Sequence, residues 1–361
     1  MTQRRVLIMA GGTGGHVVPA LSLARALVAE GIEVHWLGTP RGIENTLVPA
    51  AGLPLHHVSI AGLRGRGTLG WLRAPWRLWR AVRQAQRIIT ELEVSLVVGL
   101  GGFASGPGGL AARRLGIPLL IHEQNALPGL TNRVLARLAT RVYAAFPGAF
   151  AESRRPQVIG NPVRDEIAAI GTRPPAAEAL AGRAPRLLVV GGSLGAQVLN
   201  QRLPEALALL EPGIRPEVRH QAGRDKEQAT VEGYRSAGVE ARVSAFIDDM
   251  AEAYEWADLV VCRSGALTVT ELAAAGRASL LVPFPHAVDD HQTINARFLV
   301  DAGAAELLPQ SQMSAERLAD TLQALLDPER LVAMSHHARS RAQLSATGAL
   351  VQGCLEIGFE R

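Results

Sequence analysis

The feature that most constrains this chain is a strand that runs straight into glycine, and one stands at the head of each half. Residues Val6-Leu7-Ile8-Met9-Ala10 lead into Gly11-Gly12-Thr13-Gly14-Gly15-His16. Residues Leu187-Leu188-Val189-Val190 lead into Gly191-Gly192-Ser193-Leu194-Gly195-Ala196. A third loop, Gly99-Leu100-Gly101-Gly102-Phe103-Ala104-Ser105-Gly106, follows the run that starts at Ser95. Short, continuous apolar runs are strands covered on both faces, which belong to parallel sheets flanked by helices. Glycine lets the backbone pass close to a phosphate, and the following helix presents free N–H groups and a positive dipole end. One such loop can be no more than a tight strand-to-helix turn; three argue for a phosphate-rich ligand at the carboxyl ends of strands.

The same alternation extends along the chain. Strands are expected at 6–10, 33–37, 95–99, 118–122 and 141–144, then at 186–190, 217–221, 241–244, 259–262 and 279–282, with amphipathic segments such as 20–30 and 130–138 between them. The fold class expected is α/β, with two Rossmann-like, doubly wound parallel-sheet domains and a cleft between them. A length of 361 residues suits two domains. The boundary is expected near Gly160-Asn161-Pro162, giving domains at 1–161 and 162–339, because 171–185 is a loosely patterned connection rich in Pro and Ala. A helix is expected at 329–345, and a terminal helix at about 340–361 is expected to pack back on the first domain.

Composition narrows the class further. The hydrophobic fraction of 48% fills two cores, and two cysteines, Cys262 and Cys354, exclude a disulfide framework and fit a reducing compartment. The run at 6–10 is too short for a signal-peptide core, and no stretch reaches the eighteen or so apolar residues that span a bilayer. A soluble or peripheral protein is expected. The net charge of +4 rests on clustered arginine rather than lysine, which points to an anionic partner.

One match misleads. Gly99-x-Gly101-x-x-Ala104 fits a dinucleotide fingerprint, with Glu123 about twenty residues on as a ribose partner. The first strand, however, carries a loop with Val17 where a third glycine is needed, so nicotinamide chemistry is disfavoured.

Six blocks together identify a family. They are the first loop followed by Val17-Val18-Pro19, the glycines from Gly101 to Gly109, His122-Glu123-Gln124-Asn125, Gly160-Asn161-Pro162-Val163-Arg164, the loop from Gly191 to Ala196, and Cys262-Arg263-Ser264-Gly265-Ala266-Leu267-Thr268-Val269-Thr270-Glu271. In this combination and order, over nearly the whole chain, the sequence closely resembles the MurG family, the N-acetylglucosaminyl transferases of peptidoglycan synthesis. The resemblance implies the GT-B architecture and an inverting, metal-independent reaction with no cofactor. It implies UDP-N-acetylglucosamine (UDP-GlcNAc) as donor and undecaprenyl-pyrophosphoryl-N-acetylmuramyl pentapeptide (lipid I) as acceptor. It also implies a peripheral place on the cytoplasmic side of the inner membrane, roles in cell shape and division, and partners among other cell-wall synthesis and division proteins.

The residues make physical sense for that assignment. Ser264-Gly265 after a strand opens a helix whose N-terminus can hold a diphosphate. No convincing DxD pair accompanies it, since Asp248-Asp249 and Asp289-Asp290 read equally well as helix caps or ion-pair partners. Arg164 is expected to add a phosphate contact and Glu271 to accept from the ribose hydroxyls. By resemblance, Ile247 pairs the uracil edge through its backbone, and Asn125 and Gln292 contact the N-acetylglucosamine. The donor set is completed by Thr13, Gly14, Gly15, Ser193, Ala266, Leu267, Thr268, Val269 and Thr270. The loops at 12–15 and 102–106 are expected to hold the acceptor pyrophosphate, through Gly12, Gly102, Ser105 and Gly106.

Inversion needs a base to take the acceptor hydroxyl's proton. His16 is the leading candidate; the competing reading is that it only bonds the acceptor pyrophosphate, with His122 and Glu123 in reserve. Residues 69–89 form a helical wheel in which Leu78, Val82, Ala85 and Ile89 face the core. Leu72, Trp76 and Trp79 make a second stripe, and Arg73, Arg77, Arg80, Arg83 and Arg87 cover the opposite side, with Arg64 and Arg66 upstream. Tryptophan beside arginine suits an anionic phospholipid surface, and no nucleic-acid motif accompanies it. The alternatives are a UDP-sugar epimerase, a glycosyltransferase with a soluble acceptor, and a membrane-bound UDP-sugar sensor.

Overall fold

The computed structural model describes residues 4–60, 74–173, 175, 177–192 and 195–359. Two compact units divide the chain: Met1–Pro162 with Leu344–Arg361, and Val163–Gln343. Leu72, Arg73 and Ser193 of the expected site, with Arg64 and Arg66, lie outside the described residues.

The first unit is built on β1 (Arg5–Met9), β2 (Glu33–Gly38), β3 (Leu55–His57), β4 (Leu96–Gly99), β5 (Leu119–Glu123), β6 (Arg141–Ala144) and β7 (Gln157–Val158). They form a parallel sheet in the order β3-β2-β1-β4-β5-β6-β7. Successive side chains of a strand point to opposite faces. Val6 and Ile8 therefore pack with Leu23 and Leu27 of the helix Gly14–Ala29 and with Leu350 and Cys354 of the helix Ala346–Gly358. Leu7 and Met9 pack on the other face, with Val82, Ala85 and Ile89 of the helix Ala74–Glu91 and Ala111 and Ala112 of Ser105–Leu115. Each fully buried Leu or Ile contributes about 1.5–3 kcal/mol relative to exposure.

The second unit carries β8 (Arg186–Val190), β9 (Glu217–Gln221), β10 (Arg242–Ser244), β11 (Leu259–Cys262), β12 (Ala278–Leu281) and β13 (Ala305–Leu307). Their parallel order is β10-β9-β8-β11-β12-β13. Leu187, Val189, Leu259 and Val261 pack with Leu199, Leu203 and Leu207 of Gln197–Leu209 and with Leu318, Leu322 and Leu325 of Ala315–Leu325. Cys262 and Cys354 are free and buried, and burial pushes each thiol up to about 12.

The doubly wound α/β class read from the alternation is the fold observed. Three strands were not expected, β3, β7 and β13; they are two or three residues long and sit at or beside sheet edges, where no long apolar run is needed. The helix expected at 329–345 is Pro328–Ser340, and a further helix, Ala346–Gly358, follows it. Leu78, expected to face the core, is 38% exposed, because the buried stripe of its helix starts only at Ala81.

In each sheet the strand order reverses between two central strands, at β1/β4 in the first unit and β8/β11 in the second. Such switch points leave a crevice at the carboxyl ends of the strands. The glycine loops after β1 and β4, and the loops after β8 and β11, open at those two places.

Candidate active site

In the first unit, the loop after β1 passes into the helix Gly14–Ala29, placing His16 in its opening turn, where His16 N–H bonds the Thr13 carbonyl at 3.1 Å. The loop after β4 closes directly over it. A Cβ at Gly101 would lie 2.7 Å from His16 Nδ1, and one at Gly102 would lie 2.6 Å from the Gly11 carbonyl oxygen. Both glycines have positive φ, 105° and 88°, so two interlocked loops require them. His16 is half-buried, and its Nδ1 lies 2.9 Å from Gln124 Oε1. Gln124 Nε2 in turn meets His122 Nδ1 at 3.0 Å, and His122 Nε2 meets the Gly160 carbonyl at 2.9 Å. Burial holds the His122 imidazole down to about 4, against the raising effect of the Gly160 bond.

The polar groups behind these loops are bound to one another. Glu44, fully buried, accepts the Gly12 N–H at 2.9 Å and the Thr39 hydroxyl at 3.1 Å. Ser105, also fully buried, donates to the Met9 and Gly101 carbonyls. Two expectations for the acceptor pyrophosphate therefore change: the Gly12 N–H is engaged by a carboxylate, and the Ser105 hydroxyl is turned inward. The backbone N–H groups that open the helix Ser105–Leu115, including that of Gly106, and the half-buried Gly102 at the loop tip remain at the crevice. Thr13, Gly14 and Gly15 are exposed or half-buried at the start of their helix.

Glu123 is buried and binds its own loop. Its two oxygens accept from Asn125 N and Nδ2, Gly129 N and Asn132 Nδ2 at 2.9–3.3 Å. Neither His122 nor Glu123 therefore fits the reserve role of base, and Glu123 does not serve as a ribose partner. Asn125 sits on the turn that this carboxylate fixes.

In the second unit, Ser264-Gly265 follows β11 and opens the helix Ala266–Ala275. Ser264 Oγ is buried and has no hydrogen-bond partner among the described residues. Ala266, Leu267 and Thr268 form the first turn; Val269 is fully buried, and the Thr270 hydroxyl donates to the Ala266 carbonyl at 2.9 Å. The side chains of Val269 and Thr270 are therefore turned toward the protein and help hold this helix in place.

Glu271, on the same helix, is 19% exposed and faces Arg164 at 3.4 Å and the Tyr254 hydroxyl at 3.3 Å. Burial raises the carboxyl above its usual range, opposed by the Arg164 charge and by both hydrogen bonds. Arg164, one residue ahead of the helix Asp165–Ile170, is thus paired with the carboxylate.

Phe246, 58% exposed, and Ile247 line a surface hollow with His220, Ser244 and Asp249. Gln292 accepts the Phe284 N–H at 2.8 Å, so its amide nitrogen faces away from that bond. Asp249 caps the helix Met250–Trp256 through the Glu252 N–H at 2.9 Å, and Asp290 accepts the Thr293 hydroxyl at 2.7 Å, so both aspartates have helix-end roles.

Models of the two glycosyltransferase family 28 domains match this chain, the N-terminal domain over residues 6–144 and the C-terminal domain over residues 186–348. The UDP-N-acetylglucosamine--N-acetylmuramyl-(pentapeptide) pyrophosphoryl-undecaprenol N-acetylglucosamine transferase of Chromohalobacter salexigens is 66% identical, over 98% of this chain and 96% of its own. The protein of the same name from Pseudomonas fluorescens is 58% identical, over 98% of both chains. The chain belongs to the MurG family of glycosyltransferase family 28.

A crystal structure of Acinetobacter baumannii MurG superposes with a TM-score of 0.84 at 44% identity, covering 97% of this chain and 98% of that one. The GT-B architecture expected from the sequence is that of the family. Four side chains that matter to these loops were missed by sequence reasoning. Gln124 lies inside a block that was noticed, but nothing in its spacing reveals a bond to His16. Glu44 and Tyr254 reach their partners from elements 32 and 17 residues distant. Arg263 ties β11 to the loop at 282–284 through the Val282 and Pro283 carbonyls at 3.1 and 3.0 Å. Its only sequence signal is its place before Ser264.

Proposed function

We infer that this chain transfers N-acetylglucosamine from UDP-GlcNAc to the C4 hydroxyl of the N-acetylmuramyl residue of lipid I, with inversion at the anomeric carbon. The observation that carries the reading is the helix Ala266–Ala275. Its N-terminus, beside the buried Ser264 hydroxyl that has no partner among the described residues, suits a diphosphate. Six residues on, about 9 Å along the axis, the Glu271 carboxylate suits a ribose diol. That spacing is the order of a nucleoside diphosphate's length, and the hollow at Phe246 and Ile247 suits the base.

The chemistry then divides between the units. His16 Nε2 takes the proton of the acceptor hydroxyl as its oxygen bonds to the anomeric carbon. The bond from that carbon to the donor phosphate oxygen breaks, and its electron pair leaves with UDP. The leaving diphosphate is stabilised by the helix dipole and by Arg164, which exchanges its carboxylate partner for phosphate when the ribose occupies Glu271. The acceptor pyrophosphate lies on Gly102, Gly106 and the first turns of the Gly14–Ala29 and Ser105–Leu115 helices. Within its own unit, each of Asn125 and the Gln292 amide suits the polar groups of a sugar.

No helix among the described residues is long and apolar enough to cross a membrane. The lipid acceptor is met at the surface through the start of the helix Ala74–Glu91. Trp76, Leu78 and Trp79 are 59%, 38% and 51% exposed there, and the Arg80 and Arg83 guanidinium groups lie over the Trp76 and Trp79 rings. Exposed rings with guanidinium groups over them suit the headgroup layer of an anionic bilayer, at about 1 kcal/mol per arginine. These exposed groups support a peripheral place on the cytoplasmic side of the inner membrane.

The deciding experiment incubates the full chain with radiolabelled UDP-GlcNAc and a short-chain lipid I analogue, with and without EDTA. Label is expected in the disaccharide lipid under both conditions. Absence of labelled lipid sinks the activity, and loss of it in EDTA sinks metal independence. Changing Trp76, Trp79, Arg77 and Arg80 together to Ala should abolish binding to anionic vesicles and spare transfer to a soluble analogue. Undiminished vesicle binding moves the membrane face elsewhere.

A further inference from the structure

The hydrogen-bond chain behind His16 fixes more than its position. The Gly160 carbonyl can only accept, so His122 Nε2, 2.9 Å away, carries the proton of that ring. His122 is fully buried and neutral at ordinary pH, which leaves its Nδ1 as a bare acceptor. The Gln124 amide is oriented by two acceptors at once. Its Nε2 lies 3.0 Å from His122 Nδ1 and 3.3 Å from the His122 carbonyl oxygen, so a flipped amide would set oxygen against two lone pairs. With Nε2 so placed, Oε1 points at His16 Nδ1 at 2.9 Å, and an amide oxygen can only accept. Every donor and acceptor along the chain is thereby assigned from the Gly160 carbonyl outward.

We propose that Gln124, oriented by His122 and the Gly160 carbonyl, is a positioning residue that locks His16 in the Nδ1–H tautomer and keeps its Nε2 lone pair for the acceptor hydroxyl. The proposal rests on the reading of His16 as the base. Without the lock a neutral imidazole distributes its proton between both nitrogens, and every molecule protonated at Nε2 lacks the basic lone pair. The partner here is a neutral amide rather than a carboxylate. It selects the tautomer and the ring orientation, and His16 keeps the same Nδ1–H bond after Nε2 has taken the proton. The Gly101 backbone, against which the ring is packed, restrains the remaining rotation.

The test begins with the unaltered full chain, labelled with [15N]histidine. His16 is assigned by the signals lost in His16→Ala, and long-range proton–nitrogen spectra separate protonated from bare ring nitrogens. The expected pattern is protonated Nδ1 and bare Nε2 for His16, and the reverse for His122. A neutral His16 with its proton on Nε2 overturns the proposal without any variant that could misfold.

Gln124→Met keeps the volume and removes both hydrogen bonds. It should lower kcat roughly 10- to 100-fold, less than the 10²–10⁴-fold supplied by a general base, leave the KM for UDP-GlcNAc within about twofold, and mix the His16 tautomers. Gln124→Glu keeps an acceptor oxygen for His16 and should retain more kcat than Gln124→Met. Loss of kcat with an unchanged tautomer pattern, or an unchanged kcat with mixed tautomers, overturns the proposal. Failure of the base reading looks different: His16→Ala would then keep its kcat, whatever Gln124 does.

Discussion

The two switch points are built from the same parts, a strand, a glycine loop and a helix N-terminus, yet their polar groups are held differently. Behind the loops of the first unit the side chains are engaged with one another and with the backbone: Glu44 with Gly12 and Thr39, Ser105 with Met9 and Gly101, His122 with Gly160 and Gln124. At the second, the Ser264 hydroxyl has no partner among the described residues, and Glu271 is shared by Arg164 and Tyr254 at 3.3–3.4 Å, near the long limit of hydrogen bonding. The first arrangement suits a group that must stand in one orientation before substrate arrives. The second suits groups that exchange partners when an anion and a diol arrive.

The sharpest way to break this contrast is to remove one side chain from each. His16→Ala should lower kcat by roughly 10²–10⁴-fold and leave UDP binding, measured by calorimetry, nearly intact. Glu271→Ala should do the opposite, weakening UDP-GlcNAc binding roughly 10- to 100-fold for a lost hydrogen bond to a charged group, with a smaller effect on kcat. Weakened UDP binding in His16→Ala, or an unchanged donor affinity in Glu271→Ala, would mean that the two sites are assigned to the wrong units.

A second contrast concerns acid. Each unit buries a neutral histidine: His122 is held down to about 4, and His220, between the Tyr234 hydroxyl and Asn200, to about 3, both by burial. An unfolded imidazole takes a proton near pH 6.5. Between that pH and the folded values, the unfolded chain binds a proton that the folded chain refuses, so stability falls as pH falls. The loss is complete near pH 4 in the first unit and near pH 3 in the second. By pH 5 it should reach about 2 kcal/mol per histidine. Urea midpoints of the full chain at pH 7 and pH 5 check this. His220→Gln should flatten the acid limb of the second unit's transition only, and an equal effect on both transitions would show that the units do not unfold separately.

How much of this was legible beforehand follows from what carries each feature. The central strands are carried by local apolar runs, so β1, β8 and β11 could be read to within a residue. The edge strands β3, β7 and β13 depend on a neighbour's hydrogen bonds and have no such run. The helix at Ser264-Gly265 and the carboxylate on it were legible because a helix fixes spacing. Gln124, Glu44 and Tyr254 were not, because their roles exist only where chain segments meet. Ser105 and Gly12 stood in the right loops, but sequence alone cannot tell a donor that faces a crevice from one already taken. Leu78 continued the period of a buried stripe past the point where the helix loses its cover.

The smallest effect expected is also the one that separates binding from folding at Glu271. Its carboxyl is raised by burial, with Arg164 and Tyr254 only partly compensating. A carboxyl whose folded pKa exceeds its unfolded value is proton-hungry in the folded state, so its ionised form costs stability at neutral pH. That cost disappears as pH falls below the unfolded value near 4.3. Glu271→Gln removes the charge, keeps the shape and can still hydrogen-bond. Its thermal midpoint at pH 7 should therefore equal or slightly exceed that of the unaltered chain, and the difference should shrink on acidification. Its donor affinity at pH 7 should be lower than that of the unaltered chain, since an amide is a weaker partner for a diol than a carboxylate. A midpoint that drops at pH 7 would mean that Arg164 and Tyr254 stabilise Glu271 by more than its burial costs. The second site would then be held as firmly as the first, and the difference between the two switch points would lie in their chemistry rather than in how tightly their groups are held.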